Sequence, residues 1–323
     1  MEDVEVAIIG GGPTGLAAGL YAARAKRRTV LWERGVLGGQ IAITGMVENY
    51  PGFADGVEGP ILALEMHRQA EGFGMETRYE GITRITLDGA GPLFLLESPE
   101  GQYRAQAVIV AAGADPVKLG VPGEEELTGR GVSYCATCDG AFFKDEVVAV
   151  VGGGDAAIEE ALFLTRYAKQ VRVIHRRDEL RASMVLQERA FANERIDFTW
   201  DTVVTAIDGT ERVEGIQVLH ATGGERRRIE VGGVFIFIGH HPNSELIGGL
   251  TRLDEGGHAF VNLWMETERP GLFVAGDVRV DSARQLASAV GDGVTASIRA
   301  EHYLQHQLAT AAAPAVREPA REA

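Results

Sequence analysis

The chain contains two cysteines, and both belong to one stretch, Cys135-Ala-Thr-Cys138. Two thiols this close can close into a disulfide and reopen, and the thiolate is the form that attacks another sulfur. A structural zinc site needs four ligands, and no further cysteine exists to complete one. A disulfide closing so short a loop adds little stability. The motif reads as redox chemistry, a sulfur pair that takes up two electrons and passes them on.

Such a pair needs an electron donor, and the elements around it are built to hold dinucleotides. Residues 4–15 form an apolar strand running into Gly10, Gly12, Pro13, Thr14 and Gly15, and Leu16, Ala17, Leu20, Tyr21 and Ala23 follow at helical spacing. Residues 147–157 repeat the pattern with Gly152, Gly154, Asp155 and Ala156, Ala157 standing where the first copy has its third glycine. Gly10 to Glu33 and Gly152 to His175 both span 23 positions, so each copy reads as a strand, a glycine turn, a helix and a second strand. In such a unit the first glycine makes a tight turn and the second lets backbone approach a pyrophosphate. The third lets helix and strand pack, and the phosphates sit at the positive helix end.

Each copy also ends in an apolar strand that stops at glycine, Gly113 or Gly239. The strand at 272–275 and the helical pattern after it have no partner in the second unit, so they are assigned back to the first. The expected fold is α/β with two Rossmann-like dinucleotide-binding domains, the second inserted in the first. The first takes residues 1–116 and 244–308, the second takes 117–243 with the paired cysteines, and 309–323, rich in Ala and Pro, reads as a disordered tail.

The residue ending each second strand separates the ligands. Glu33 can accept hydrogen bonds from an adenosine ribose, which suits FAD or NAD and repels a 2'-phosphate. At the matching place stand His175, Arg176 and Arg177, with Arg181 one helical turn on, so the second domain is expected to prefer NADPH. A flavin is the relay that joins a nicotinamide to a dithiol, which favours FAD in the Glu33 domain. A net charge of −15 argues against nucleic acid and anionic membranes as partners, and the acidic start running straight into a strand reads as lacking a leader peptide. No apolar stretch approaches the roughly 18 residues that span a bilayer, so the expectation is a cytoplasmic protein.

The chain resembles the bacterial-type, low-molecular-weight thioredoxin reductases in six stretches: 10–15, 38–40 with 48–52, 135–139, 152–160, 175–178 with Arg181, and 276–277 with 284–285. The resemblance implies a homodimer in which NADPH reduces FAD, FAD reduces the Cys135–Cys138 disulfide and the dithiol reduces thioredoxin, with a large domain rotation between steps. It places Cys138 toward the flavin, gives Cys135 the attack on thioredoxin, and makes Asp139 the general acid, a residue that by itself could equally cap a helix. It also implies FAD contacts from Arg34, Gly39, Gln40, Asn49, Asp277, Arg284, Gln285 and Leu286, and an NADPH contact from Gly239. Ala156, where relatives carry Ser or Thr, and Leu286, where Ala is frequent, depart from the pattern. Flavin-dependent dithiol oxidases dispense with the NADPH pocket, ferredoxin-NADP reductases of similar fold lack the paired cysteines, and a redox sensor would bind nucleotide without turnover.

Overall fold

The computed structural model describes residues 1–44, 46–47, 49–89, 91–224 and 226–312. Glu48 and residues 313–323 lie outside the described residues.

The first half opens with β1 (Glu2–Ile9), α1 (Pro13–Arg24) and β2 (Thr29–Trp32). A short antiparallel pair, β3 (Met46–Val47) and β4 (Val57–Glu58), leads into α2 (Gly59–Glu71) and β5 (Glu76–Arg78). β6 (Arg84–Leu87), β7 (Phe94–Ser98) and β8 (Gly101–Val110) then run antiparallel to one another. β5, β2, β1 and β8 lie side by side in parallel, and β1 is buried without a break from Val6 to Ile9, as a parallel strand covered on both faces must be.

β9 (Ala114–Pro116) leaves this sheet for the second half, which begins with β10 (Val132–Ser133) and the one-turn helix α3 (Ala136–Asp139). The repeated unit follows as β11 (Val147–Val151), α4 (Asp155–Leu164) and β12 (Gln170–Ile174), then α5 (Met184–Phe191) and β13 (Ile196–Thr199). β14 (Thr202–Gly209), β15 (Val213–His220) and β16 (Arg226–Glu230) form a separate antiparallel sheet. With β17 (Gly233–Ile236), the second half closes into a parallel sheet ordered β10-β17-β11-β12-β13.

The chain returns through β18 (His240–Pro242), which pairs antiparallel with β9, so Pro116 and Pro242 sit in one two-stranded ribbon between the halves. β19 (Leu272–Val274) then adds in parallel to β8 of the first sheet. α6 (Leu286–Ala312) continues past the expected boundary at 308, so a disordered tail does not begin at 309. Among the described residues, no helix is long and apolar enough to cross a membrane.

α1 and α6 cross closely over the first sheet, sharing a core of Leu16, Ala18, Ala22, Ala296, Ala300 and Leu304. Two glycines permit this approach. A Cβ on Gly293 would lie 2.1 Å from the Thr14 carbonyl oxygen, and one on Gly276, at φ +79°, would lie 2.4 Å from the Thr14 hydroxyl. Nearby, Asp292, only 8% exposed, accepts from the Gly276 N–H and forms a bidentate ion pair with Arg279. The end of β19 is thereby pinned beside the first turn of α1.

Gly293→Ala should therefore force the helices apart and lower stability by about 1–3 kcal/mol, the usual cost of overpacking. Gly291→Ala, on the same helix with no atom within 4 Å of the added methyl, should stabilise by about 0.5–1 kcal/mol through helix propensity. Thermal unfolding of the two variants checks the pair, and equal effects would show that the α1–α6 approach is not what requires glycine at 293.

Candidate functional site

The first glycine turn is dictated by backbone contact. Gly10 has φ +109° and a Cβ there would lie 2.4 Å from the Ala111 carbonyl oxygen, while one on Gly15 would lie 1.9 Å from the Gly10 carbonyl oxygen. α1 starts at Gly12 with Pro13 in its first turn and no side chain capping it, so N–H groups of that turn remain free for an anion. Space around Gly12 is open.

Glu33, at the end of β2, accepts from the Gly11 and Gly35 N–H groups, each at 2.6 Å, which fixes a carboxylate against the turn. Gly39, at φ +54°, passes over Gly12, and Gln40 donates to the Ala114 carbonyl at 3.1 Å. Arg34 reaches Asn243 at 3.4 Å. Burial pushes the Asp277 carboxyl above its ordinary value, partly offset by the Ser282 hydroxyl that donates to it at 2.7 Å. Arg284 donates to Nδ1 of His240, whose pKa is pushed down to about 4, mainly by burial and then by Arg284 itself. Leu286 packs against the cluster of Ile41, Leu62 and Ala63.

The second turn repeats the geometry with one difference. A Cβ on Gly152 would lie 2.4 Å from the Phe237 carbonyl oxygen, and α4 starts at an uncapped, open Gly154. Asp155 accepts from the Ser183 N–H at 2.5 Å, Ala156 is exposed, and Gly239, at φ +132°, closes the sheet end by accepting from the Val117 N–H. Arg176, Arg177 and Arg181 are all exposed and, among the described residues, none forms an ion pair. In an acidic protein, three neighbouring unpaired cations form a ready anion site.

His175 is placed apart from them. Its ring is buried under Gly153, where a Cβ would come within 2.3 Å of it, and its edge meets Trp200. Burial is the main cause holding its pKa below the ordinary value, opposed by a backbone hydrogen bond at Glu179 and reinforced by the three arginines, and the packed ring supports the turn rather than joining the cation cluster.

The cysteines are joined in a disulfide at the start of α3. Cys135 is the N-cap: its Sγ accepts from the Cys138 N–H at 3.2 Å and lies 3.3 Å from the Thr137 hydroxyl. The buried Ser133 hydroxyl brackets Cys135, accepting from its N–H at 3.1 Å and donating to its carbonyl at 3.3 Å. Burial pushes the Asp139 carboxyl above its ordinary value, and the Ser133 hydroxyl draws it partly back. Tyr134 is anchored by the buried Glu124, which also accepts from the backbone at 119 and 120.

A polar chain then links the dithiol helix to the first half: Gln285 donates to the Thr137 hydroxyl at 3.1 Å and accepts from Asn49 at 3.2 Å. Sequence reading found Asn49 and Gln285 but missed Thr137 and Ser133. The disulfide therefore lies at the junction, against residues expected to line the FAD site.

Residues 4–293 match the pyridine nucleotide-disulphide oxidoreductase family. The chain is 47% identical over 316 residues to a thioredoxin reductase of Peptoclostridium litorale, covering 96% of this chain and all of the relative. It is 46% identical over 302 residues to a thioredoxin reductase of Bacillus subtilis (strain 168), covering 93% of this chain and 95% of the relative. The crystal structure of a thioredoxin reductase from Streptococcus pyogenes MGAS5005 superposes with a TM-score of 0.89 at 44% identity, over 94% of this chain and 99% of that one. A Lactococcus lactis thioredoxin reductase described as in the FR conformation, at 41% identity and the same coverage, reaches 0.65. The chain belongs to the pyridine nucleotide-disulphide oxidoreductase family.

Proposed function

We infer that the chain is a thioredoxin-disulfide reductase, taking electrons from NADPH through FAD and the Cys135–Cys138 disulfide to thioredoxin. The observation that carries this reading is the disulfide placed between two dinucleotide-type glycine turns, in a chain similar over nearly its whole length to thioredoxin reductases. Residues 1–116 and 244–308 hold FAD in this reading, and 117–243 hold NADPH.

The residues fit these groups. The uncapped start of α1, with Gly10, Gly12, Pro13, Thr14 and Gly15, receives the FAD pyrophosphate, and Glu33 receives its ribose. Asp277, Arg284, Gln285 and Leu286 from the returning segment, with Arg34, Gly39, Gln40 and Asn49, complete that site. Gly152, Gly154, Asp155, Ala156 and Gly239 receive NADPH over the His175 platform, and Arg176, Arg177 and Arg181 receive the 2'-phosphate. FAD, when bound, supplies the two-electron relay between the nicotinamide and the disulfide.

The chain's own residues carry the sulfur chemistry. Two electrons entering the Cys135–Cys138 bond break it and leave two thiolates, and Asp139, adjoining Cys138 and with its carboxyl pushed above its ordinary value by burial, gives a proton to one of them in this reading. The Cys135 thiolate then attacks the thioredoxin disulfide, forming a mixed disulfide and releasing one thioredoxin thiol. Cys138 attacks the Cys135 sulfur, reforming the internal bond and releasing the second. NADPH and one proton are consumed for each dithiol formed. The resemblance also supports a homodimer acting in the cytoplasm, and the acidic net charge disfavours nucleic acid and membranes as partners.

Removing Arg176 or Arg177 should weaken NADPH binding by roughly ten- to a hundred-fold, the range for a charge-assisted hydrogen bond, while leaving NADH binding nearly unchanged. Titrating Arg176→Ala and Arg177→Ala with both nucleotides checks this, and equal losses for the two would remove the 2'-phosphate assignment. Asp139 donates only while protonated, so reduction of the disulfide should slow as pH rises through its raised pKa. Asp139→Asn should slow that step by about 10²–10⁴-fold and abolish this pH dependence at unchanged FAD content. Rapid-mixing measurements across pH test it, and a wild-type profile in Asp139→Asn would mean that the proton comes from elsewhere.

A further inference from the structure

The first half and residues 117–239 are joined by the β9–β18 ribbon, and contacts at 34–243, 40–114 and 240–284 all run to that ribbon or its edges. The bond from Gln285 to Thr137 is different. It lies away from the ribbon and, among the described residues, is the hydrogen bond that ties α3 to the first half. Thr137 is exposed, so packing does not determine its residue type. Its hydroxyl has one proton to donate and lone pairs to accept with. It accepts from Gln285, which is itself held by Asn49, and it stands 3.3 Å from Cys135 Sγ, so its own proton can point to that sulfur.

Two relatives of nearly equal identity superpose on this chain unequally. The S. pyogenes structure superposes at 0.89, whereas the L. lactis structure, with the same coverage, reaches 0.65. A protein that presents one disulfide first to an internal electron source and then to a second protein has to expose it in between, and in this arrangement Cys135 is part-buried at the junction.

We propose that Thr137 is a positioning residue: its hydroxyl clamps the dithiol helix to the first half through Gln285, in the arrangement in which the disulfide is reduced, and the clamp must open before thioredoxin reaches Cys135.

The inference rests on the reductase reading, and its test separates the two. Hydrogen exchange of the 133–143 and 281–289 segments is measured in the oxidised holoenzyme for wild type, Thr137→Val and Thr137→Ser, together with single-turnover reduction of the disulfide and of the flavin by NADPH. Loss of one neutral hydrogen bond should raise exchange in both segments by about two- to ten-fold in Thr137→Val. Disulfide reduction should slow by a similar factor while flavin reduction is not slowed, and Thr137→Ser should restore both. Unchanged exchange in Thr137→Val, with or without slower sulfur chemistry, would overturn the clamp, as would a serine variant that behaves like valine. A wild-type protein that fails to reduce thioredoxin with NADPH would instead overturn the reductase reading, because the exchange comparison stands without turnover.

Discussion

Two helices in this protein begin at a glycine with nothing to cap them, and that bareness organises the rest. A first helical turn leaves N–H groups without partners, which are ordinarily satisfied by a Ser, Thr, Asp or Asn just before it. At Gly12 and Gly154 no such side chain is present, and the space around both glycines is open. The strands feeding these turns are buried and parallel, so their ends and the helix starts face one side of each sheet, where open α/β sheets bind ligands. Close backbone contacts leave no room for a side chain at Gly10, Gly15 or Gly152. What stands beside the two turns differs: a carboxylate held by two N–H groups at Glu33, and three exposed arginines after β12 that form no ion pair among the described residues.

The junction converts these two sites into one electron path. α6 and β19 return to the first sheet, and the α1–α6 contact at Gly293 and the Asp292–Arg279 pair hold the segment that carries Asp277, Arg284 and Gln285. From the other side, Glu124 and Ser133 stiffen the approach to Cys135. Among the described residues, α3 is hydrogen-bonded to the first half through the Thr137 hydroxyl.

Local patterns made most of this legible. Glycine turns between apolar strands and helical spacing are short-range signals, and the identical 23-residue spacing exposed the repeat. A leftover strand at 272–274 pointed back to the first sheet, and β19 does pair with β8 there. Long-range or three-dimensional features stayed hidden. The bond between Thr137 and Gln285 joins residues 148 positions apart, and neither position carries a periodic pattern. His175 read as one of four phosphate-facing residues, yet its ring is packed under Gly153, because strand alternation turns it inward while Arg176 and Arg177 leave the strand for solvent. The end of α6 was placed too early because its Ala-rich last turns resemble a low-complexity tail, although Ala is the best helix former.

The central claim is that the Cys135–Cys138 bond lies on the electron path rather than beside it. An anaerobic titration of the FAD-loaded protein with NADPH, following flavin absorbance and free thiols together, tests this most directly. The wild-type protein should take up enough NADPH to reduce both the flavin and the disulfide and should gain two thiols per chain. The Cys135→Ser, Cys138→Ser double variant should take up only what the flavin accepts, and thioredoxin should reoxidise the first protein but not the second. Equal NADPH uptake by the two proteins, or thioredoxin reoxidising the double variant at the native rate, would contradict the account.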